Sequence, residues 1–128
     1  MHKDLDKYIN FAKKFLNKSD KILVKNFNAQ LNINYKKDES PVTKIDKKIE
    51  ILFRKAIKEQ FPEHNVLGEE YQNQNLKSEY LWIVDPIDGT KSFIHGNFNF
   101  GTLLCLSYNG KPIIGCLLYT SDAADDVI

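Results

Sequence analysis

Two aspartates, Asp85 and Asp88, directly follow an apolar run in the stretch WIVDPIDGT. Glu69 ends an earlier apolar stretch, and Asp46 lies near the start of a helical pattern. Because the ends of adjacent strands meet in space, we expect some of these carboxylates to converge. Carboxylates ~4 Å apart repel by about 4 kcal/mol at an effective dielectric constant of 20, so such a cluster needs a cation or shared protons. Hard oxygen donors of this kind suit Mg²⁺.

The turn between and after the two aspartates favours the same chemistry. Pro86 lacks an N–H and restricts φ, which would direct the carbonyl of Ile87 toward a cation. Gly89 permits a close approach of the backbone to a ligand. Gly89 and Thr90 would present N–H groups to a phosphate at a helix start, and the Thr90 hydroxyl could orient a water. An isolated Asp-x-x-Asp would more simply be an Asx turn or a helix cap, but the flanking Gly-Glu-Glu and Gly-Thr favour phosphate chemistry.

Two amphipathic helices and a set of short strands are predicted to position these residues. Residues 4–25 and 43–60 repeat apolar side chains at helical spacing. AQLNINYKK alternates like a half-buried strand, and YLWIV is apolar on both faces like a central one. Asn109-Gly110 predicts a hairpin between FGTLLCLSY and KPIIG, and a short helix is predicted near Thr90. The order of these elements favours an α+β fold, with two helices layered on a mostly antiparallel sheet.

Composition limits the function classes. The chain has 128 residues, 42% of them hydrophobic and 27% charged, with a net charge of +1. These values are ordinary for one globular domain and give no drive toward nucleic acid. Lysine pairs such as Lys13-Lys14 lack aromatic stacking partners. No apolar run approaches the ~18 residues of a membrane span, and the charged N-terminus is unlike a signal peptide. We therefore expect a cytoplasmic protein with neither a nucleic-acid nor a membrane partner.

Three motifs together resemble the inositol monophosphatase superfamily of Mg²⁺-dependent phosphomonoesterases. They are SPVTKID at 40–46, GEE at 68–70 and WIVDPIDGT at 82–90, within a resemblance that spans almost all of residues 1–115. The resemblance implies the layered α/β sandwich of the sugar phosphatases. It also implies these roles: Glu69, Asp85, Asp88 and the Ile87 carbonyl as metal ligands, Glu70 as their neighbour, Gly89 and Thr90 as the phosphate seat, and Asp46 with Thr90 as the pair that activates the attacking water.

The resemblance implies in-line attack of that water on a small phosphorylated metabolite, by an enzyme that is a homodimer at full length. KSFIHGNFNFGTLL is closer to the histidinol-phosphatase branch, because inositol phosphatases more often have Asn at the position of Ser92. His95 instead matches the inositol branch, and Lys91 and His95 would equally suit an exposed helical turn. Our interpretation is a histidinol-phosphate phosphatase, with inositol-1-monophosphatase and 3′(2′),5′-bisphosphate nucleotidase as alternatives.

We expect the chain to depart from the family after about Gly115. Family members are longer, and their second half supplies another metal-binding aspartate and most of the substrate pocket. Residues 116–126, CLLYTSDAADD, back-translate to a string that resembles a transposon-end sequencing adapter. We therefore expect a truncated domain, 1–115, followed by a non-native tail, 116–128. A chain of this kind is predicted to be inactive, and the remaining alternative is a metal-binding fragment without turnover.

Overall fold

The first two elements are helices, α1 at Leu5–Gln30 and α2 at Pro41–Gln60. Asp4 precedes α1, and its carbonyl accepts a hydrogen bond from the Tyr8 N–H at 3.0 Å. Pro41 occupies the first position of α2, where no N–H partner is needed. The computed structural model describes residues 4–30, 41–69, 79–88, 101–119 and 126–127.

Both predicted helices are confirmed, and α1 is longer than its apolar pattern indicated. The predicted strand AQLNINYKK is wrong at its start, because Ala29 and Gln30 form the last turn of α1. Both residue types favour helix, so extending an existing helix is easy for them. Residues 31–37 of that predicted strand lie outside the described residues. Neither described helix is long and apolar enough to cross a membrane.

The strands of the described chain are β1 at Asn65–Leu67, β2 at Tyr80–Asp88, β3 at Gly101–Tyr108, β4 at Lys111–Tyr119 and β5 at Asp126–Val127. They form one sheet in the order β1-β2-β3-β4-β5. The first pair is parallel and the others are antiparallel, which confirms the predicted α+β class with a mostly antiparallel sheet.

The helices cover one face of this sheet. Helix α2 lies over β1 and β2, and α1 lies over β3 and β4. On the opposite face, Ile83 and Leu103 are exposed. The sheet therefore has a covered face that forms the core and an open face. The core side chains that the two sides contribute include Phe11, Phe15, Ile49, Phe53, Trp82, Val84, Leu104, Leu106 and Ile114.

The predicted Asn-Gly hairpin joins β3 to β4. Asn109 and Gly110 have φ of 49° and 83°, the positive values that the tight two-residue turn requires. Strand β4 continues past Gly115 to Tyr119, so the backbone of 116–119 pairs with β3. The non-native origin of residues 116–128 stays a prediction.

Candidate active site

The parallel pair β1–β2 places two of the predicted ligands beside each other. Leu67 pairs with Ile83, and two residues further along each chain are Glu69 and Asp85. Neighbouring strands lie ~4.8 Å apart, so the register brings these two acidic positions to the same level at one edge of the sheet. Glu69 is exposed and Asp85 is half-buried. Of these two described positions, that of Glu69 is therefore the more accessible to solvent.

A β-bulge in β2 decides where the next acidic residue goes. Asp85 pairs with Leu103 and Asp88 with Gly101, so β2 has one more residue than β3 between these pairs. Positions three apart in a regular strand fall on opposite faces. Here the two partners, Leu103 and Gly101, are two residues apart on β3 and therefore share a face of the sheet. Because paired residues lie on the same face, the positions of Asp85 and Asp88 share that face as well. The prediction that β2 ends at Asp85 and leaves Asp88 in a turn is wrong, since pairing resumes after the bulge.

The extra residue of the bulge is accommodated by a proline and a buried threonine. Pro86 has no N–H to contribute to the ladder, which suits a bulge. Its carbonyl accepts a hydrogen bond from Thr102 Oγ1 at 2.8 Å, and Thr102 is also hydrogen-bonded to Ser19 of α1. The Ile87 side chain is buried in the core. The core face of the bulge thus anchors the backbone segment between Asp85 and Asp88.

Helix α2 carries Asp46 and, one turn later, Glu50. Asp46 is half-buried, whereas Glu50 is fully buried. Arg54, a further turn along, donates Nε to Glu50 Oε2 at 3.0 Å and Nη1 to the Val66 carbonyl at 3.3 Å. The pair therefore links the helix of Asp46 to the strand that leads to Glu69.

The glycine of the Gly-Glu-Glu motif lies against this ion pair. A Cβ added at Gly68 would overlap the Glu50 carboxylate. Gly68 is therefore required for space. The sequence reasoning missed Glu50 and Arg54. The available signal was that Arg54 is the chain's only arginine and follows a glutamate by one helical turn.

The start of β1 is held by a histidine among aromatic rings. The His64 ring stacks on Phe61 and Tyr80, with centroids 4.9 Å and 4.5 Å away. Its Nδ1 accepts a hydrogen bond from Trp82 Nε1 at 3.0 Å, so the neutral ring carries its proton on Nε2. Burial lowers the pKa of His64. A neutral His64 thus joins the loop before β1 to the centre of β2.

Several predicted site residues lie outside the described part of the chain. Within the described ranges, no three acidic, histidine or cysteine side chains are grouped so that they could hold a metal. The predicted ligands that can be compared there are Glu69 and Asp85, whose positions the register places side by side. Outside the description lie Glu70, Gly89, Thr90, Lys91, Ser92, His95 and the side chain of Asp88.

Comparison with known proteins decides the family. The model of the inositol monophosphatase family matches residues 4–120. The chain belongs to the inositol monophosphatase family. This membership confirms the resemblance inferred from the motifs and supports a phosphatase.

Relatives within the family carry different substrate names. The chain is 38% identical to the histidinol-phosphatase of Chlorobaculum parvum over 68% of its own length, and 37% identical to the inositol-1-monophosphatase of Bacillus subtilis over 83%. It covers only 34% and 41% of those two proteins. The crystal structure of inositol monophosphatase II from Staphylococcus aureus superposes with a TM-score of 0.80 at 28% identity, covering 94% of this chain and 44% of that one.

Proposed function

We propose that this chain carries the metal-binding edge of a Mg²⁺-dependent phosphomonoesterase whose substrate is histidinol phosphate. The observation that carries the metal-binding part of the proposal is the register of β1, β2 and β3, whereas the choice of substrate follows the segment KSFIHGNFNFGTLL. The register sets Glu69 level with Asp85, and the bulge brings the position of Asp88 to the face of Asp85. Three carboxylates at one strand edge are an arrangement that a divalent cation stabilises.

The donor set fits magnesium. Glu69, Asp85 and Asp88 supply carboxylate oxygens, and the Ile87 carbonyl supplies a fourth hard donor. All four belong to two neighbouring strand ends, so short backbone segments determine their spacing. When bound, Mg²⁺ would polarise the phosphoryl oxygens and acidify a water. Glu70 is proposed to support Glu69 from the adjacent position.

The remaining roles belong to residues of α2 and of the segment after β2. Asp46 takes the proton of the attacking water, and the Thr90 hydroxyl orients that water. The N–H groups of Gly89 and Thr90 hold the phosphate oxygens and stabilise the charge that develops on them. The half-burial of Asp46, with its Oδ1 shielded from solvent, suits a base that acts away from bulk water.

Metal binding tests the proposal without requiring turnover. Calorimetric titration of the 128-residue chain with Mg²⁺ should give a binding isotherm, and Asp85→Asn should weaken the affinity by at least about tenfold, or 1.4 kcal/mol. Asp6→Asn, an exposed change on α1, is the matched control and should bind like the parent chain. Equal affinity of the parent and Asp85→Asn would contradict the assignment.

The substrate requires a longer protein, because the chain spans well under half the length of the curated relatives it matches. Two chimeras would join residues 1–115 to the second half of the Chlorobaculum histidinol-phosphatase or of the Bacillus inositol-1-monophosphatase. We expect the first chimera to retain the larger share of its parent enzyme's kcat/KM. A larger share in the second would favour inositol 1-phosphate, as His95 does. The 128-residue chain alone should release no phosphate from either substrate.

A further inference from the structure

A chain of buried hydroxyl groups runs from α1 to the bulge in β2. Ser19 and Thr102 are both buried, and their side-chain oxygens are hydrogen-bonded. Thr102 Oγ1 also donates to the Pro86 carbonyl at 2.8 Å. A threonine hydroxyl has one proton, so Ser19 must be the donor to Thr102. The direction of both hydrogen bonds is therefore determined, from α1 through β3 to β2.

This hydrogen-bonded chain constrains the backbone between the two aspartates. The peptide bond is planar, so holding the Pro86 carbonyl toward α1 also sets the direction of the Ile87 N–H. The proline ring restricts the φ of Pro86. Thr102 lies between Leu103 and Gly101, the partners of Asp85 and Asp88. It is thus the one residue of β3 that faces the extra residue of the bulge.

We propose that Thr102, supported by Ser19, is a positioning residue that fixes the directions of Asp85 and Asp88 relative to each other. The inference deepens the proposed function, because the value of the fixed direction lies in the cation that both carboxylates would share. Thr102 acts through the Pro86 carbonyl and contacts neither the cation nor the substrate. Its role differs from that of a buried hydroxyl that only satisfies a backbone acceptor.

Ser107 offers the comparison that separates these two roles. Its Oγ donates to the Leu81 carbonyl at 3.3 Å, so it too joins a side chain of β3 to a carbonyl of β2. Ser107 is also buried. It lies at the other end of the strand pair, away from the bulge and the acidic edge. Removing either hydroxyl takes away one side-chain hydrogen bond between β3 and β2, and removing that of Thr102 also takes away the acceptor of Ser19.

The experiment compares Thr102→Val, Thr102→Ser and Ser107→Ala in the 128-residue chain. Valine keeps the branched shape of threonine without the hydroxyl, and serine restores the hydroxyl. Mg²⁺ affinity is measured by calorimetry, and exchange of the Ile87 and Asp88 amides by NMR. We expect Thr102→Val to weaken Mg²⁺ binding about tenfold and to speed exchange of both amides. Thr102→Ser and Ser107→Ala should stay within about twofold of the parent in both measurements.

Two results would overturn the inference. One is parent-like exchange at Ile87 and Asp88 in Thr102→Val, and the other is an equal loss of affinity in Ser107→Ala. If Thr102→Val does not fold, Ser19→Ala replaces it and should shift the same amides in the same direction. A parent chain that binds no Mg²⁺ would count against the proposed function, whereas the exchange measurement would still decide the positioning role.

Discussion

The two acidic strand ends of this protein are held by different chemistry. The end of β1, which leads to Glu69, lies on an ion pair between the fully buried Glu50 and Arg54, whose side chain is 25% exposed. The end of β2, which carries Asp85, is braced through Pro86 by the neutral hydroxyls of Ser19 and Thr102. Both supports lie on the covered face of the sheet, the first within α2 and the second running from α1 through Thr102 of β3.

The difference has an energetic consequence. Removing one member of a buried ion pair leaves a charge in a poorly solvated place, which costs about 3 kcal/mol or more. Removing a neutral hydrogen bond costs only about 1 kcal/mol. We therefore expect the Glu50–Arg54 ion pair to contribute more to the stability of the β1 end than the Ser19 and Thr102 hydroxyls contribute to that of the β2 end. A cation bound by the proposed ligands Glu69, Asp85 and Asp88 would not compete for the hydroxyls.

The largest expected effect on stability comes from replacing Arg54, the positively charged member of the ion pair. Arg54→Met keeps much of the aliphatic contact and should lower the free energy of unfolding by about 3 kcal/mol, because the Glu50 carboxylate is fully buried. Urea unfolding followed by circular dichroism measures it. Lys55→Met, an exposed change at the next position of α2, should stay within about 0.5 kcal/mol of the parent. Similar values for the two variants would show that the ion pair does not hold this region.

A smaller loss of stability is expected from filling the space beside the Glu50 carboxylate. Gly68→Ala places a Cβ against the carboxylate and should cost about 2 kcal/mol, since overpacking forces neighbouring groups to move. Gly115→Ala is the control, because a Cβ there meets nothing within 4 Å. Thermal unfolding of both variants measures the contrast. A Gly68→Ala chain as stable as Gly115→Ala would mean that the β1 end can move away from Glu50 at little cost.

The smallest expected effect is a pH dependence of the free energy of unfolding that arises from His64, on the β1 side of the sheet. The pKa of His64 is lowered by burial, so the unfolded chain takes up this proton more readily than the folded one. The contribution to stability is complete above about pH 6.5 and is lost as pH falls through the folded pKa, with a slope of at most about 1.4 kcal/mol per pH unit. Protonation would place a second donor against Trp82 Nε1.

Urea unfolding between pH 7.5 and pH 5 measures this slope. His64→Asn keeps an acceptor for Trp82 without a titrating group and should show a shallower dependence than the parent. Amide protection at the β2 bulge, expressed relative to the exchange of an unfolded chain at the same pH, should respond less to this change because the support there is neutral. An unchanged slope in His64→Asn would place the titrating group elsewhere.

Local sequence patterns predicted much of the scaffold. The apolar repeat of Ile45, Ile49, Phe53 and Ile57 predicted α2, and all four side chains are buried. Asn109-Gly110 predicted the hairpin because few other residue pairs accept positive φ at both positions. The end of α1 was not predicted, because its last residues suit both a helix and the alternating pattern that follows. These successes depend on residues close in the chain, where spacing alone defines a face.

The sequence by itself determined the family, the two helices and which acidic residues lie at the strand ends of the acidic edge. Only the tertiary structure decided that Asp85 and Asp88 occupy positions on one face. Their separation of three residues predicts opposite faces in a regular strand, and the bulge that reverses this depends on pairing with β3. It likewise decided that Gly68 must lack a side chain, because the carboxylate against it comes from α2. Contacts between residues distant in the chain determine both outcomes, so the local spacing of residue types could not predict them.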